Sequence, residues 1–384
     1  MINILYLHAG SEMYGADKVL LELVTNLDKK IFHPIVILPS TGRLSKAMKA
    51  ANIEIYVIDY PILRRKYFNP KGILKYVKNY RMAVTKICKL VKNKKIRLIH
   101  INTIAVLEGI YLRKKLKVPL IWHIHEIIER PQIIFKITSF LVGRFSDKIV
   151  AVSEAVEEHL INSNLVPKKK IRVIYNGINN DLFHPGVGTG YLFQELDIPK
   201  DSMRVGMVGR VNAWKGQNDF VKAMSPLLGK HHNLYVILVG GVFDGEEWRM
   251  NQLVETVNND ANSNHFRILD FREDTSNMYN FFDAFVLPST SPDPLPTVVL
   301  EAMACGKPII GYKHGGIKEM VKNNENGLLA APGNIDELGR FVDMLISNKE
   351  LRDEFGANSL KRETKKFSMS AYIQNFSKLY MEFS

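Results

Sequence analysis

The sequence predicts an α/β protein made of two doubly wound, Rossmann-like domains, and three observations carry that prediction. Its 384 residues exceed what one hydrophobic core usually organises, so two domains of ordinary size are expected. Short β-rich apolar runs alternate with helix-length segments from the start, the pattern of parallel strands covered on both faces by crossover helices. A Gly/Pro-rich stretch, His184-Pro185-Gly186-Val187-Gly188-Thr189-Gly190, then interrupts the alternation near mid-chain and reads as a linker.

Taken in order, the strands of the first domain fall at residues 2–8, 34–39, 53–58, 97–101, 119–125, 148–152 and 171–175. Those of the second fall at 204–209, 234–240, 266–269, 284–288 and 307–311. The domains therefore cover 1–185 and 186–366, and a closing helix over 367–384 is expected to pack back toward the first domain. Gly186, Gly188 and Gly190 imitate part of a dinucleotide fingerprint. No strand leads into them and no helix is evident behind them, so the match is rejected.

Apolar residues make up 46% and charged residues 24%, which fits a folded soluble protein rather than a disordered or fibrous one. Apolar runs such as Ile133 to Val142, broken by Lys136, stop well short of the roughly 18 residues a membrane span needs. The opening Met1-Ile2-Asn3-Ile4-Leu5 reads as a first strand rather than a secretory leader. Cys88 and Cys305 are too few for a disulfide framework or a thiolate metal site, so a reducing cytoplasm is expected.

Charge is unevenly spread. Up to Pro185, 31 Lys and Arg stand against 14 Asp and Glu, a net +17, whereas the remainder nets −4. Such asymmetry points the first domain toward something anionic. No acidic residue occurs from Tyr60 to Leu107, and thirteen Lys and Arg fall between Arg64 and Arg97. Within this segment Ile73, Val77, Tyr80, Val84, Ile87 and Val91 recur at helical spacing, with Lys71, Lys75, Lys78, Lys86 and Lys89 off that stripe. Residues 64–97 thus read either as a helix docking on an anionic membrane surface or as a solvated helix whose apolar stripe joins the core. Nucleic acid is not an expected partner, because no recognition motif or interleaved aromatic platform accompanies the charge.

The chemistry concentrates between Pro288 and Glu319. A strand ends at Pro288, and a Pro-rich loop to Pro296 precedes a helix over 297–304. Loops beyond the carboxyl ends of parallel strands form the ligand crevice, which places Asp293 there, with Glu301 as a second carboxylate. Spaced carboxylates accept hydrogen bonds from hydroxyl pairs, so one can grip a sugar and the other a ribose, while a helix N-terminus favours phosphate. The run Val208-Gly209-Arg210-Val211-Asn212-Ala213-Trp214-Lys215-Gly216 occupies a strand-to-helix turn in which Arg210 and Lys215 can neutralise a diphosphate. After the first strand, Tyr14-Gly15-Ala16-Asp17-Lys18 opens a helix, and Gly15 allows close backbone approach to phosphate. In Trp122-His123-Ile124-His125-Glu126 the two histidines share one strand face, so spacing does not decide between them. They could also begin a zinc site, but no third ligand motif accompanies them.

Together these residues resemble the signature of retaining glycosyltransferase family four, the glycosyl transferases of group 1, whose GT-B fold sets two Rossmann-like domains facing across a cleft. That signature has two Glu separated by seven residues, then Ala-Met-Ala-x-Gly-x-Pro and a Gly-Gly turn. Asp293 takes the first acidic place, one methylene shorter than the usual Glu, and Tyr14 stands where the family has glycine. Weaker landmarks, including Val152-Ser153-Glu154 and Phe271-Arg272-Glu273-Asp274, extend the likeness over nearly the whole chain.

The resemblance implies that Asp293 meets donor-sugar hydroxyls and Glu301 the nucleotide ribose, while Arg210 and Lys215 hold the leaving diphosphate. It implies that backbone amides at Gly315 and Gly316 contact the diphosphate, and that His125 lies near the transferred sugar. By the same likeness the partners are a nucleotide-diphosphate sugar and a glycan or lipid-linked acceptor, in cell-surface polysaccharide synthesis. The anomeric configuration is retained, and neither cofactor nor metal is required because the two cations stand in for one. Nucleotide-sugar epimerases and phosphorylases share the architecture, as would an inactive homologue acting as a scaffold. Donor turnover without acceptor, phosphate dependence, or failure to bind any nucleoside diphosphate would single out each of these.

Overall fold

The computed structural model describes residues 1–13, 15–64 and 67–383. Tyr14 of the first loop and two cations of the basic segment, Arg65 and Lys66, lie outside the described residues. The chain divides into two compact units, Met1–Gly177 with Ser370–Ser384, and Ile178–Met369.

Unit 1 runs β1 (Ile2–Leu7), α1 (Gly15–Asn26), β2 (Phe32–Leu38), α2 (Arg43–Ala50), β3 (Glu54–Val57), α3 (Pro70–Val91), β4 (Ile96–Ile101), α4 (Glu108–Leu116), β5 (Leu120–Ile124), α5 (Gln132–Phe145), β6 (Lys148–Ala151), α6 (Glu154–Ile161) and β7 (Ile171–Val173). Its sheet has the order β3-β2-β1-β4-β5-β6-β7. Every pairing is parallel. A parallel sheet covered on both faces requires continuous apolar runs, and residues 4–7 and 35–38 are all 1% exposed or less.

Unit 2 runs α7 (Gly190–Glu195), β8 (Met203–Val208), α8 (Gln217–Lys230), β9 (Leu234–Val239), α9 (Glu247–Asn258), β10 (Phe266–Leu269), α10 (Thr275–Phe281), β11 (Ala284–Leu287), α11 (Thr297–Ala304), β12 (Ile309–Tyr312), α12 (Ile317–Met320), β13 (Gly327–Ala330), α13 (Ile335–Ser347) and α14 (Lys349–Lys366). Its parallel sheet has the order β10-β9-β8-β11-β12-β13. In each sheet the strand order reverses beside the first strand, between β1 and β4 and between β8 and β11. Chains leaving those strands diverge, which opens a crevice at their carboxyl ends.

The last helix, α15 (Met369–Met381), buries Tyr372, Phe376, Leu379 and Tyr380 in unit 1. The Tyr380 hydroxyl lies 3.0 Å from that of Tyr6 on β1 and 2.8 Å from His100 Nδ1 on β4. Phe376 packs against the His123 ring at 5.1 Å.

Several boundaries differ from the sequence reading. The units part at Gly177 rather than Pro185, because Ile178 is bonded into unit 2: its N–H donates to Phe367 O at 3.0 Å and its carbonyl accepts from Met369 N–H at 3.1 Å. A short helix, α7, does start at Gly190, directly behind the glycine-rich stretch that was read without one. Added Cβ atoms at Gly186, Gly188 and Gly190 would meet nothing within 4 Å, so no close backbone approach explains these glycines. β13 was not anticipated, and β12 begins two residues later than the sequence suggests.

Helix α3 begins at Pro70 behind Asn69, whose side chain accepts from Gly72 N–H at 2.8 Å. Its apolar stripe splits into two halves. Val84, Ile87 and Val91 are buried, whereas Ile73 is 54%, Leu74 73% and Val77 41% exposed.

Candidate active site

In unit 2 the two loops at the switch point are knit together by their backbones. After β8, Asn212 Oδ1 accepts from the N–H groups of Trp214 and Lys215 at 3.0 and 2.9 Å, an Asx turn that tightens residues 212–215. Gly216 then enters α8 with φ +84°, and a Cβ there would sit 1.9 Å from Pro288 O at the end of β11. Only glycine permits both the left-handed backbone and that contact. From the other loop, Thr290 N–H donates to Trp214 O at 2.7 Å.

This scaffold brings Lys215 onto Asp293. Lys215 Nζ lies 2.9 and 3.1 Å from the two carboxylate oxygens, and Ser289 Oγ donates to Asp293 Oδ2 at 2.6 Å. Both side chains of the pair are mostly shielded, 16% and 14% exposed. The loop after β12 closes over the same place: Gly316 N–H donates to Asp293 O at 2.8 Å, and His314 Nε2 reaches Ser289 O. Gly315 has φ +60°, and a Cβ on it would meet Asp293 O at 2.4 Å. Lys215, Asp293, Gly315 and Gly316 are thus one assembly. Arg210 leaves the same turn with its guanidinium stacked 3.5 Å from the Phe243 ring centroid.

Glu301 is placed differently. It lies in α11, 5% exposed, and its Oε2 accepts from the Tyr279 hydroxyl of α10 at 2.7 Å. This bond supports the carboxylate from behind. Ser289, Asn212 and Tyr279, none of them picked out from the sequence, belong to the supports of this site. Asn212 and Ser289 sit in the two loops that the switch-point rule selects.

In unit 1 the strand ends beside β1 gather a polar group of their own. His8 Nε2 contacts Asp17 Oδ1 at 2.5 Å. Asn102 Nδ2 contacts His8 Nδ1 at 3.1 Å, and Asn102 Oδ1 contacts His125 Nε2 at 3.2 Å. Gly15, the first residue of α1, follows the loop that Asp17 Oδ2 holds through the N–H groups of Glu12 and Met13, at 2.9 and 2.7 Å.

His123 and His125 share a face with ring centroids 4.0 Å apart, but His123 is fully enclosed. Of the two, only His125 is partly exposed. Burial pushes the His125 pKa down to about 3, so its ring is neutral. The Glu126 carboxylate accepts from Thr103 Oγ1 and from the N–H groups of His125 and Ile104, yet burial outweighs these bonds and raises its pKa. Among the described residues, no three His, Cys, Asp or Glu side chains group to hold a metal ion.

Two family models match most of the chain in succession. The one described as Glycosyltransferase Family 4 covers residues 13–182, and the one described as Glycosyl transferases group 1 covers residues 191–362. The chain belongs to this glycosyltransferase family. Among family members, a glycosyltransferase of Methanocaldococcus jannaschii is 29% identical over 287 residues, which is 72% of both chains. CapM of Staphylococcus aureus, a capsular polysaccharide biosynthesis glycosyltransferase, is 25% identical over 248 residues, 61% of each chain. For most of the curated relatives the match spans about three fifths of their length. Anabaena HepE, solved in complex with UDP, superposes with a TM-score of 0.86 over 99% of this chain and all of its own, at 24% identity. A sucrose-phosphate synthase from Thermosynechococcus elongatus superposes at 0.79 with 19% identity, over 100% of this chain and 99% of its own. These likenesses establish the GT-B fold for the family member described here. The boundary between the two family models, 182 to 191, falls within the stretch that follows Gly177.

Proposed function

We propose that this chain transfers a sugar from a nucleoside-diphosphate sugar to a glycan or lipid-linked acceptor, with retention of anomeric configuration and without a metal. The observation that carries the reading is the shielded Lys215–Asp293 pair at the unit 2 switch point, with the Asp293 backbone carbonyl held by the Gly316 amide. A diphosphate arriving there offers Lys215 a stronger anion than a single carboxylate. Capture of the cation frees Asp293 to accept from donor-sugar hydroxyls, so donor binding and sugar gripping are one exchange of partners. Lys215 and Arg210 then stabilise charge that grows on the leaving diphosphate, which favours the transition state over the ground state. Glu301, braced by Tyr279, accepts from ribose hydroxyls.

HepE was solved with UDP and with UDP-glucose, which makes uridine the first base to test. A thermal-shift series with UDP, GDP, ADP and dTDP checks the donor reading. One nucleoside diphosphate at a hundred times its Kd should stabilise the chain by about 2.7 kcal/mol, and Lys215→Ala should reduce that shift at the same concentration. No shift with any of the four would remove the reading.

Cell-surface polysaccharide synthesis is the proposed setting, supported by the described role of CapM. The chain would work at the inner face of the cytoplasmic membrane. Among the described residues no helix is long and apolar enough to cross a membrane. Support for surface docking comes from the exposed half of α3, where Ile73, Leu74 and Val77 stand among Lys71, Lys75 and Lys78. A groove of about 760 Å³ beside it is lined by Tyr76, Val77, Tyr80, Val84, Ile110 and Leu141 among others. Apolar side chains among lysines suit the interface of an anionic bilayer. Liposome flotation at low salt should recover the protein with vesicles containing anionic lipid and not with neutral ones. Equal recovery from both, or from neither, would overturn the docking proposal.

A further inference from the structure

Three side chains of unit 1 have no part in the reaction as proposed, yet they form a continuous path to His125. They leave neighbouring strands: His8 follows β1, Asn102 follows β4 and His125 follows β5, while Asp17 lies in the first turn of α1. His8, Asp17 and Asn102 are all at least 94% buried. Water therefore does not average their hydrogen bonds, and each proton must be assigned to one partner.

The assignment starts at Asp17. Its Oδ2 accepts from two backbone N–H groups, and its Oδ1 faces His8 Nε2, so the carboxylate requires a proton on that nitrogen. Nδ1 of His8 faces Asn102 Nδ2, which the Ala16 carbonyl at 3.4 Å requires to be the donor, so Nδ1 is bare. With Nδ1 bare, the reversed amide would set two acceptors against each other at 3.1 Å. Oδ1 of Asn102 is thereby left to His125 and accepts from Nε2–H at 3.2 Å. His125, held neutral, keeps its lone pair on Nδ1, an atom without a protein partner among the described residues and not enclosed.

We infer that Asp17, His8 and Asn102 are positioning residues that fix the proton of His125 on Nε2, so that Nδ1 presents a lone pair to a sugar hydroxyl. The inference rests on the reading of His125 as the residue beside the transferred sugar. The ionisable groups around the path are Asp17, Glu126, His100 and His123, with the Tyr60 hydroxyl on the His8 backbone. Because Asp17 also holds the amides of residues 12 and 13, the loop leading to Gly15 and the tautomer of His125 are set by one carboxylate.

The test is 15N NMR of the full chain with labelled histidine, assigned with His125→Ala, alongside steady-state kinetics with the sugar donor of whichever nucleoside diphosphate shifts the melt. In the unsubstituted chain His125 should show one protonated and one bare ring nitrogen, with the proton on Nε2. Asn102→Leu should give mixed tautomers and lower kcat about ten- to a hundredfold, with donor KM changed only a few-fold. Asp17→Asn, able to donate as well as accept, should mix the tautomers through the intact Asn102, and serves if Asn102→Leu does not fold. The same single tautomer in Asn102→Leu or Asp17→Asn as in the unsubstituted chain would overturn the inference. Should His125→Ala transfer at the unsubstituted rate, the reading of His125 fails, and the NMR comparison still decides the tautomer.

Discussion

Lys215→Ala is expected to lower kcat by about a hundred- to a thousandfold, the loss typical when one preorganised stabiliser of developing negative charge is removed. The fold of unit 2 should survive it. The turn carrying Lys215 is held by Asn212 through backbone N–H groups and by the Gly216 contact with β11, neither of which involves the lysine side chain. Asp293 keeps Ser289 as a donor. Single-turnover kinetics with saturating donor, beside a thermal melt, separate the two effects, and undiminished kcat would remove Lys215 from the site. Gly216→Ala provides the contrast. It forces a side chain into φ +84° and onto Pro288 O, so both activity and the melting temperature should fall.

The stability of unit 1 should pass through a maximum between about pH 4.5 and 8. His100 and His125 are pushed down to about 3, and His123 and His159 are lowered as well, in each case mainly by burial. Their unfolded forms titrate near 6.5, so below that pH the unfolded chain takes up protons that the folded one refuses, and stability falls with acid. Each such proton is worth about 1.4 kcal/mol per pH unit. Glu108 acts in the opposite sense. Fully buried, it is raised to about 8, and burial raises Glu126 and Glu22 too, so the folded state holds protons that the unfolded chain releases above about pH 4.5. Toward the acid side the four histidines outnumber the three carboxylates, and stability rises with pH. Above 6.5 the carboxylates act alone, and stability declines through pH 8. Urea midpoints followed by the buried Trp122, with Trp214 and Trp248 replaced by Phe, read this out. Midpoints that do not change from pH 5 to 8 would contradict it.

Strand periodicity made nearly all of the sheet content readable, because parallel strands buried on both faces must be continuously apolar. β13 escaped because Gly-Leu-Leu-Ala is short and carries no β-branched residue to mark it. Lys215, Asp293 and the Gly315-Gly316 turn were readable as a set, since each lies where a parallel strand hands over to a loop. The Ser289 contact and the Asn102 bridge were not, because each joins residues through space that sequence spacing does not encode. The helical stripe of α3 was visible, but its division into a buried and an exposed half depends on where neighbouring helices end.

α15 has a consequence for the order in which the protein is made. Residues 178–369 form a contiguous unit that is complete once its own segment has left the ribosome. The earlier unit must wait until Phe376 and Tyr380 emerge to cover His123, His100 and Tyr6. The first half of the chain to be translated is therefore the second to be finished, and during that interval the aromatic face of β1, β4 and β5 is left open to solvent and to chaperones.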